Sequence, residues 1–193
     1  MPVKRFEKEK YARTESFISA KKQNLLLLAV VLPLCLVEVC VYLLGHDYAN
    51  IFATIFKTSF LFEIFILAAG MFVFIAVALL AKAALLSLFA AEGFKSIKFK
   101  IIKESQKPHC CLTEPIKVWH YRLCLAIYIL IAMIAPYAVA LAIGDFIFVI
   151  ASLICVLFSA GDLLFFIALL GRGKNCYVQD FDGIMLYCVY ERI

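Results

Sequence analysis

The chain has 193 residues, of which 65% are hydrophobic and 17% charged, with a mean hydropathy of +0.98. A soluble domain is about half apolar, so this composition excludes a water-soluble globular enzyme and implies one bundle of membrane-spanning helices. The formal net charge of +5 is not a nucleic-acid footprint, because the aromatics fall in the apolar spans rather than among the basic residues.

Residues 1–24 are polar. Lys4, Arg5, Lys8, Lys10, Arg13, Lys21 and Lys22 stand against Glu7, Glu9 and Glu15. They read as a basic arm, either a short juxtamembrane helix or a disordered segment, whose positive charge anchors it at a membrane surface. No pattern of a cleavable leader precedes the first span.

The membrane domain covers 25–171. The first span runs from about Leu25 to Leu44, which is 20 residues and long enough for about 30 Å of hydrocarbon. It carries Glu38 toward its far end. Gly45-His46-Asp47 breaks it, and a brief loop holds Lys57. The second apolar stretch, from about Phe60 to Ala91, is too long for a perpendicular span and must tilt or project. It contains Glu63 near its start and Lys82 well inside, and Gly93 ends it.

A polar loop follows at 94–120. From Ile97 to Ile101 it alternates apolar and basic residues, the pattern of a half-buried strand. The third span runs from about Tyr121 to Ile143. Pro136 removes a backbone donor within it and predicts a kink. Gly144-Asp145 is a tight turn into the fourth span, about Phe146 to Leu170. The remaining 172–193 reads as a hairpin: a strand at Cys176-Tyr177-Val178, a turn at Gln179 to Gly183, and a strand at Ile184 to Tyr190. This hairpin and the strand at 97–101 fall on one side of the membrane, where they are expected to pair into a small sheet.

Orientation follows from counting Lys and Arg in the connecting segments. The arm holds seven, the loop at 94–120 six and the tail three, whereas the opposite loops hold only Lys57. Sixteen against one predicts four spans, both termini cytoplasmic, in the cell membrane. The fold class expected is therefore an all-α integral membrane protein with a small cytoplasmic hairpin or sheet.

Eight cysteines are present. Cys35, Cys40, Cys124 and Cys155 lie in the spans and read as small packing residues. Cys110, Cys111, Cys176 and Cys188 lie in cytoplasmic segments, where disulfides are not expected.

Soluble catalytic signatures are absent: there is no phosphate-binding loop, no GxSxG and no GxGxxG. HExxH is also absent, and no histidine lies in a span. One set of short motifs has an ordered spacing. A long helix runs into the basic strand Ile97-Lys98-Phe99. A Cys-containing loop precedes Glu114-Pro115-Ile116-Lys117. Ala135-Pro136 lies in a span, Gly161-Asp162 in the next, and Asn175-Cys176-Tyr177-Val178 is followed by Asp182-Gly183. Over roughly 60–190 the chain resembles a bacterial zincin-peptidase family of small membrane proteins, a domain of otherwise unknown function with a plan like that of site-2-type intramembrane proteases.

The resemblance implies an HExxH-like motif on the helix before the basic strand. There two histidines four residues apart would bind zinc and a glutamate would activate water. An aspartate in the later Gly-Asp would be a third ligand. The corresponding positions here are Ala81, Lys82, Ala83, Ala84 and Leu85. Of the implied set only Asp162 remains, so the resemblance is to a degenerate member, a pseudoenzyme without metal or cofactor.

Lys82 is the informative departure. It stands nine residues before Ala91, and Asp162 stands nine residues before Gly171. Both helices run in the same direction, so both side chains lie roughly 13 Å from the helix ends at 1.5 Å per residue. Opposite charges at equal depth predict a buried pair in which the ammonium stands in the place of the metal. The alternative is that Lys82 snorkels alone to the interface and a protonated Asp162 bonds a neighbouring helix.

Other candidates carry weaker signals. His109, Cys110, Cys111 and His120 are soft-metal ligand types, but their spacing matches no zinc module and they read as solvated or interfacial. Asp180 and Asp182 before Gly183 read as turn formers. Glu38 and Glu63 read as helix-packing hydrogen-bond partners, or else as a polar path for a proton or ion.

The function expected is a non-catalytic scaffold or regulator in the lipid bilayer that binds another membrane protein or peptide in the cleft its enzymatic relatives would use. Two rivals are an active metallopeptidase with an atypical site, built on Asp162 with loop cysteines or histidines, and a small transporter or channel subunit using Glu38, Glu63, Lys82 and Asp162. The second lacks the internal repeat common in transporters.

Overall fold

The structure is a computed structural model and describes residues 11–17, 20–46, 60–101, 108–173, 176–180 and 186–192. Four helical segments in it are long and apolar enough to cross a membrane: Leu25–Gly45, Ile64–Ser87, Val118–Ile143 and Phe146–Leu170. Lys57, Asn175 and Asp182 lie outside the described residues, as does half of the N-terminal arm.

The helices are α1 (Ala20–Gly45), α2 (Phe60–Ser87), α3 (Val118–Ile129), α4 (Ala135–Ile143) and α5 (Phe146–Leu170). α3 and α4 form one span, joined by a π-helical turn at Leu130–Ile134. The cause is Pro136, at the start of α4. It offers no N–H to the turn before it. The widened turn shifts the ladder by one residue, so that Ala135 N–H donates to the Leu130 carbonyl five residues back. The expected kink is thus absorbed by a π turn, a common local solution.

α5 is the central helix. It packs against α1, α2, α3 and α4. Its buried residues include Ser152, Cys155, Ser159 and Asp162. α1 and α2 instead leave broad apolar faces open, with Leu32, Leu36 and Val37 on one and Phe65, Phe72 and Val73 on the other. Such faces are stable only against hydrocarbon.

The β structure gathers at the end of the bundle where α2 and α5 finish and α3 begins. A four-stranded antiparallel sheet has the order β1 (Tyr11–Phe17), β6 (Leu186–Arg192), β5 (Tyr177–Asp180), β4 (Ile116–Lys117). A separate two-stranded sheet pairs β2 (Ile97–Ile101) with β3 (Pro108–Leu112), with Phe99 opposite Cys110.

Four expectations are corrected here. Within the arm at 1–24, Tyr11–Phe17 is neither helix nor disordered: it is β1, with Tyr11 opposite Arg192 and Phe17 opposite Leu186. β6 would otherwise carry an open row of backbone donors and acceptors, which an extended segment satisfies in full.

The strand at 97–101 does not join the tail hairpin. It pairs locally with β3 instead, because closing a short loop costs less entropy than closing a long one. The tail strands β5 and β6 do pair, with Val178 opposite Val189.

The second apolar stretch ends as a helix at Ser87 rather than Ala91. Ser87 Oγ donates to the Ala84 carbonyl at 2.7 Å, and Ala91 N–H donates to Glu114 Oε2 at 3.0 Å. A 3-10 turn at Gly93–Ser96 leads into β2.

Finally, Cys110 and Cys111 are not solvated. They lie in β3, which packs between β2 and the end of α2, and both are buried. Cys110 joins Leu86, Leu112, Tyr121, Leu169 and Val178 in the largest apolar cluster, which ties the sheets to the helices.

The opposite end of α1 and the turn between α4 and α5 are joined through Tyr42. Gly144 has φ +75°, a left-handed conformation that residues with a Cβ avoid. Tyr42, fully buried, donates its hydroxyl proton to the Gly144 carbonyl at 2.8 Å. Its ring stacks on His46 at 4.6 Å. Asp145 caps α5 by accepting from Ile147 N–H at 3.2 Å, as an N-cap aspartate does.

Candidate functional site: a buried ion pair between α2 and α5

Asp162 lies on α5 and Lys82 on α2, and both are buried. Lys82 Nζ donates to Asp162 Oδ1 in a direct ion pair. Lys82 does not snorkel: it is 0% exposed. With α2 ending at Ser87 and α5 at Leu170, the equal nine-residue spacing from the helix ends does not hold, yet the two side chains meet.

Two further groups complete the site. The Tyr128 ring of α3 lies beside the ammonium, with Nζ 5.5 Å from the ring centroid. This is within the range of a cation–π attraction, which is strongest when desolvated. Tyr128 also hydrogen-bonds the side chain of Ser159, one turn before Asp162. Ala78 and Ala132 pack against Tyr128, and these small residues let α2 and α3 approach closely. Side chains from three helices therefore meet at the pair.

The sequence contains a signal for this arrangement that the reading above missed. Ser152, Cys155, Ser159 and Asp162 are spaced by three, four and three residues, so they form one stripe along α5. Members of this stripe reach both α1 and α2. Cys155 Sγ lies 3.9 Å from Met71 Sδ of α2. Ser152 Oγ lies 3.0 Å from Glu38 Oε2 of α1 and 2.8 Å from its own Val149 carbonyl, and its single proton serves one of them.

Glu38 is thus held by α5, and Tyr137 of α4 donates to its backbone carbonyl at 2.8 Å. The Glu38 site and the ion pair are ten residues apart along α5, roughly 15 Å. They are two places, and not one cluster. Glu63 belongs to α2, but its side chain lies outside those described, as do those of His109, Asp180 and Cys188.

The degenerate motif positions sit beside the pair. Ala81 and Leu85 are half-buried. Leu85 packs into the large apolar cluster, and its carbonyl accepts from Cys124 Sγ at 3.3 Å. His120 is engaged by Phe89, with ring centroids 4.5 Å apart in a stack. Among the described residues no three His, Cys, Asp or Glu side chains converge as metal ligands would. Cys35, Cys40, Cys124 and Cys155 are free thiols.

Arg122 is a second residue the sequence reading passed over. From the first turns of α3 its Nη2 donates to the carbonyls of Leu169 and Arg172. It thereby places a cation at the C-terminus of α5, where the helix dipole favours positive charge.

What the site can do chemically follows from its parts. A lysine held as ammonium by a carboxylate has no lone pair, so it is neither nucleophile nor base. Asp162 accepts a proton-bearing partner and is enclosed by side chains. The pair fastens α2 to α5 at a depth where an unpaired charge is costly.

A crevice opens farther along the same two helices. It has a volume of about 510 Å³ and lies between α2 and the α4–α5 turn, with Gly70, Met71, Phe74, Pro136, Val139 and Phe148 among its walls. Its lining is almost wholly apolar, and its size is that of a ligand or peptide site.

Fold and site together define a class: a four-helix membrane protein whose central helix holds a buried lysine–aspartate pair. No protein-family model matches the chain, nor does any curated protein or solved structure.

Proposed function

We propose that this chain is a non-catalytic scaffold or regulator of the cell membrane, with both termini cytoplasmic, built on a zincin-peptidase-like plan whose metal position is taken by Lys82. The observation that carries the reading is the Lys82–Asp162 ion pair. Where a hydrolase needs an electrophile and a general base, this position holds an ammonium already neutralised by the one acid that the resemblance retains. The partner is an apolar segment of another membrane protein. The crevice between α2 and the α4–α5 turn supplies a surface for it, because its walls are apolar and α2 packs loosely there.

A photo-crosslinking residue placed at Phe74 or Val139, on the crevice walls, tests this in cells. Discrete protein adducts are expected there and none at Val37, which faces outward on α1. Lipid-only adducts at all three positions would sink the scaffold reading. Zinc at one per chain in purified protein, lost on Asp162→Asn, would restore the metallopeptidase.

A further inference from the structure

The sheet-bearing end of the bundle carries exposed aromatic and basic side chains that neither the ion pair nor the crevice accounts for. Leu88, Phe94, Phe99 and Trp119 are 73%, 62%, 55% and 51% exposed. Lys95, Lys98 and Lys117 are exposed between and beside them. Large apolar groups this open are unfavourable in water, and their placement with lysines is not scattered.

Local contacts gather these residues at one level. Leu88 directly follows the end of α2, and Trp119 is the second residue of α3. The Phe89–His120 stack joins the two helix ends. Thr113 Oγ1 and Thr113 N–H both donate to the Ser96 carbonyl at 2.8 Å, and Ala91 N–H donates to Glu114. The 3-10 turn bearing Phe94 and Lys95 is thereby held against the segment that leads to Lys117 and Trp119.

β2 then departs from simple strand alternation. Lys98 and Phe99 point to opposite faces of the strand, yet both are exposed, whereas Cys110, Cys111 and Leu112 of its partner β3 are all buried. β2 thus keeps Lys98 and Phe99 exposed, while Ile97 packs against the large apolar cluster.

We infer that this collar is a binding surface for the headgroups of anionic phospholipids in the leaflet next to the sheets. The aromatic rings sit at the headgroup boundary, where amphipathic and apolar rings gather at membrane surfaces. The three lysines meet lipid phosphates, which attract basic side chains close to the surface. Glu92 is the exposed acid of the collar, while Glu114 is engaged by the Ala91 N–H. The lysines outnumber them. This inference is independent of the scaffold reading.

Trp119 is the only tryptophan of the chain, so its fluorescence reports on this collar alone. The full chain is reconstituted in vesicles of phosphatidylcholine and phosphatidylglycerol, with bromine on the chains of one lipid or the other. Brominated phosphatidylglycerol is expected to quench Trp119 more than its neutral counterpart at equal mole fraction. The preference should be at least about fivefold, the factor that each lysine near an anionic surface supplies, and should fall with rising salt. Lys95→Gln, Lys98→Gln and Lys117→Gln, made singly and together, should reduce it stepwise to none. The singles keep the test open if the triple variant does not fold. Equal quenching by both lipids in the unaltered chain overturns the inference. So does a preference that survives the lysine changes, or one lost instead on replacing Lys4, Arg5, Lys8 and Lys10 of the arm.

Discussion

Lys82 and Asp162 lie 80 positions apart in the chain and meet in a buried ion pair between α2 and α5. If the two neutralise each other, removing either strands a charge in an apolar bundle. Breaking a buried pair in this way costs about 3–5 kcal/mol, less whatever a change of protonation recovers. Lys82→Met with Asp162→Asn should be much milder than the sum of the single changes. A double-mutant cycle of detergent stability measures this. A coupling energy of zero would mean that the pair contributes nothing beyond its separate members.

Arg122 holds the end of α5 through two carbonyls. Hydrogen bonds from a charged donor are worth about 1.5–3 kcal/mol each when a partner is removed. Arg122→Ala should destabilise the protein by that order, and Arg122→Lys should not restore it, since a lysine Nζ reaches one bond less far than Nη2 does. Hydrogen exchange read at 169–173 should rise in both variants. Unchanged protection there would show that the α5 terminus does not depend on the guanidinium.

Gly144 is constrained twice. Its φ of +75° costs a residue with a Cβ about 1–2 kcal/mol, and an added Cβ would approach the His46 ring at 3.0 Å. Gly144→Ala should therefore destabilise by at least the first amount. Adding His46→Ala should recover only the contact part. Full recovery in a thermal melt would show that the backbone conformation carries no cost. Tyr42→Phe, which loses only the bond to the Gly144 carbonyl, should cost about 1 kcal/mol.

The basic asymmetry predicts orientation. A cysteine introduced at Asn50 should react with an impermeant reagent from outside intact cells, and one at Gln106 should be protected. The reverse pattern would invert the topology and place the sheets outside.

The number of spans was legible in the sequence because a bilayer imposes a length and a composition on any helix that crosses it. Leu25–Gly45, Val118–Ile143 and Phe146–Leu170 differ from the ranges read off hydropathy by three residues or fewer. The second stretch was the exception, since the turn after Ser87 is set by Glu114, a partner 23 residues on from the Ala91 N–H it receives. Hydropathy does not register such a contact.

The candidate pair was legible for a related reason: ionisable residues are few in the four apolar spans, and Lys82 and Asp162 carry opposite charges well inside theirs. Which faces they occupy was not. Rotation about a helix axis is decided by the fit of all its neighbours, and here Tyr128 and Ser159 settle it from two other positions. The β structure was the least legible part. Residues 11–17 carry no apolar pattern that separates a strand from a solvated arm. Their pairing with β6 depends on a backbone edge that exists only once the tail is folded. Sequence alone thus determined the solvent of this protein and the number of its crossings, because each helix answers to the bilayer by itself. The tertiary structure decided which side chains meet and which strands pair, because those depend on partners that no local stretch contains.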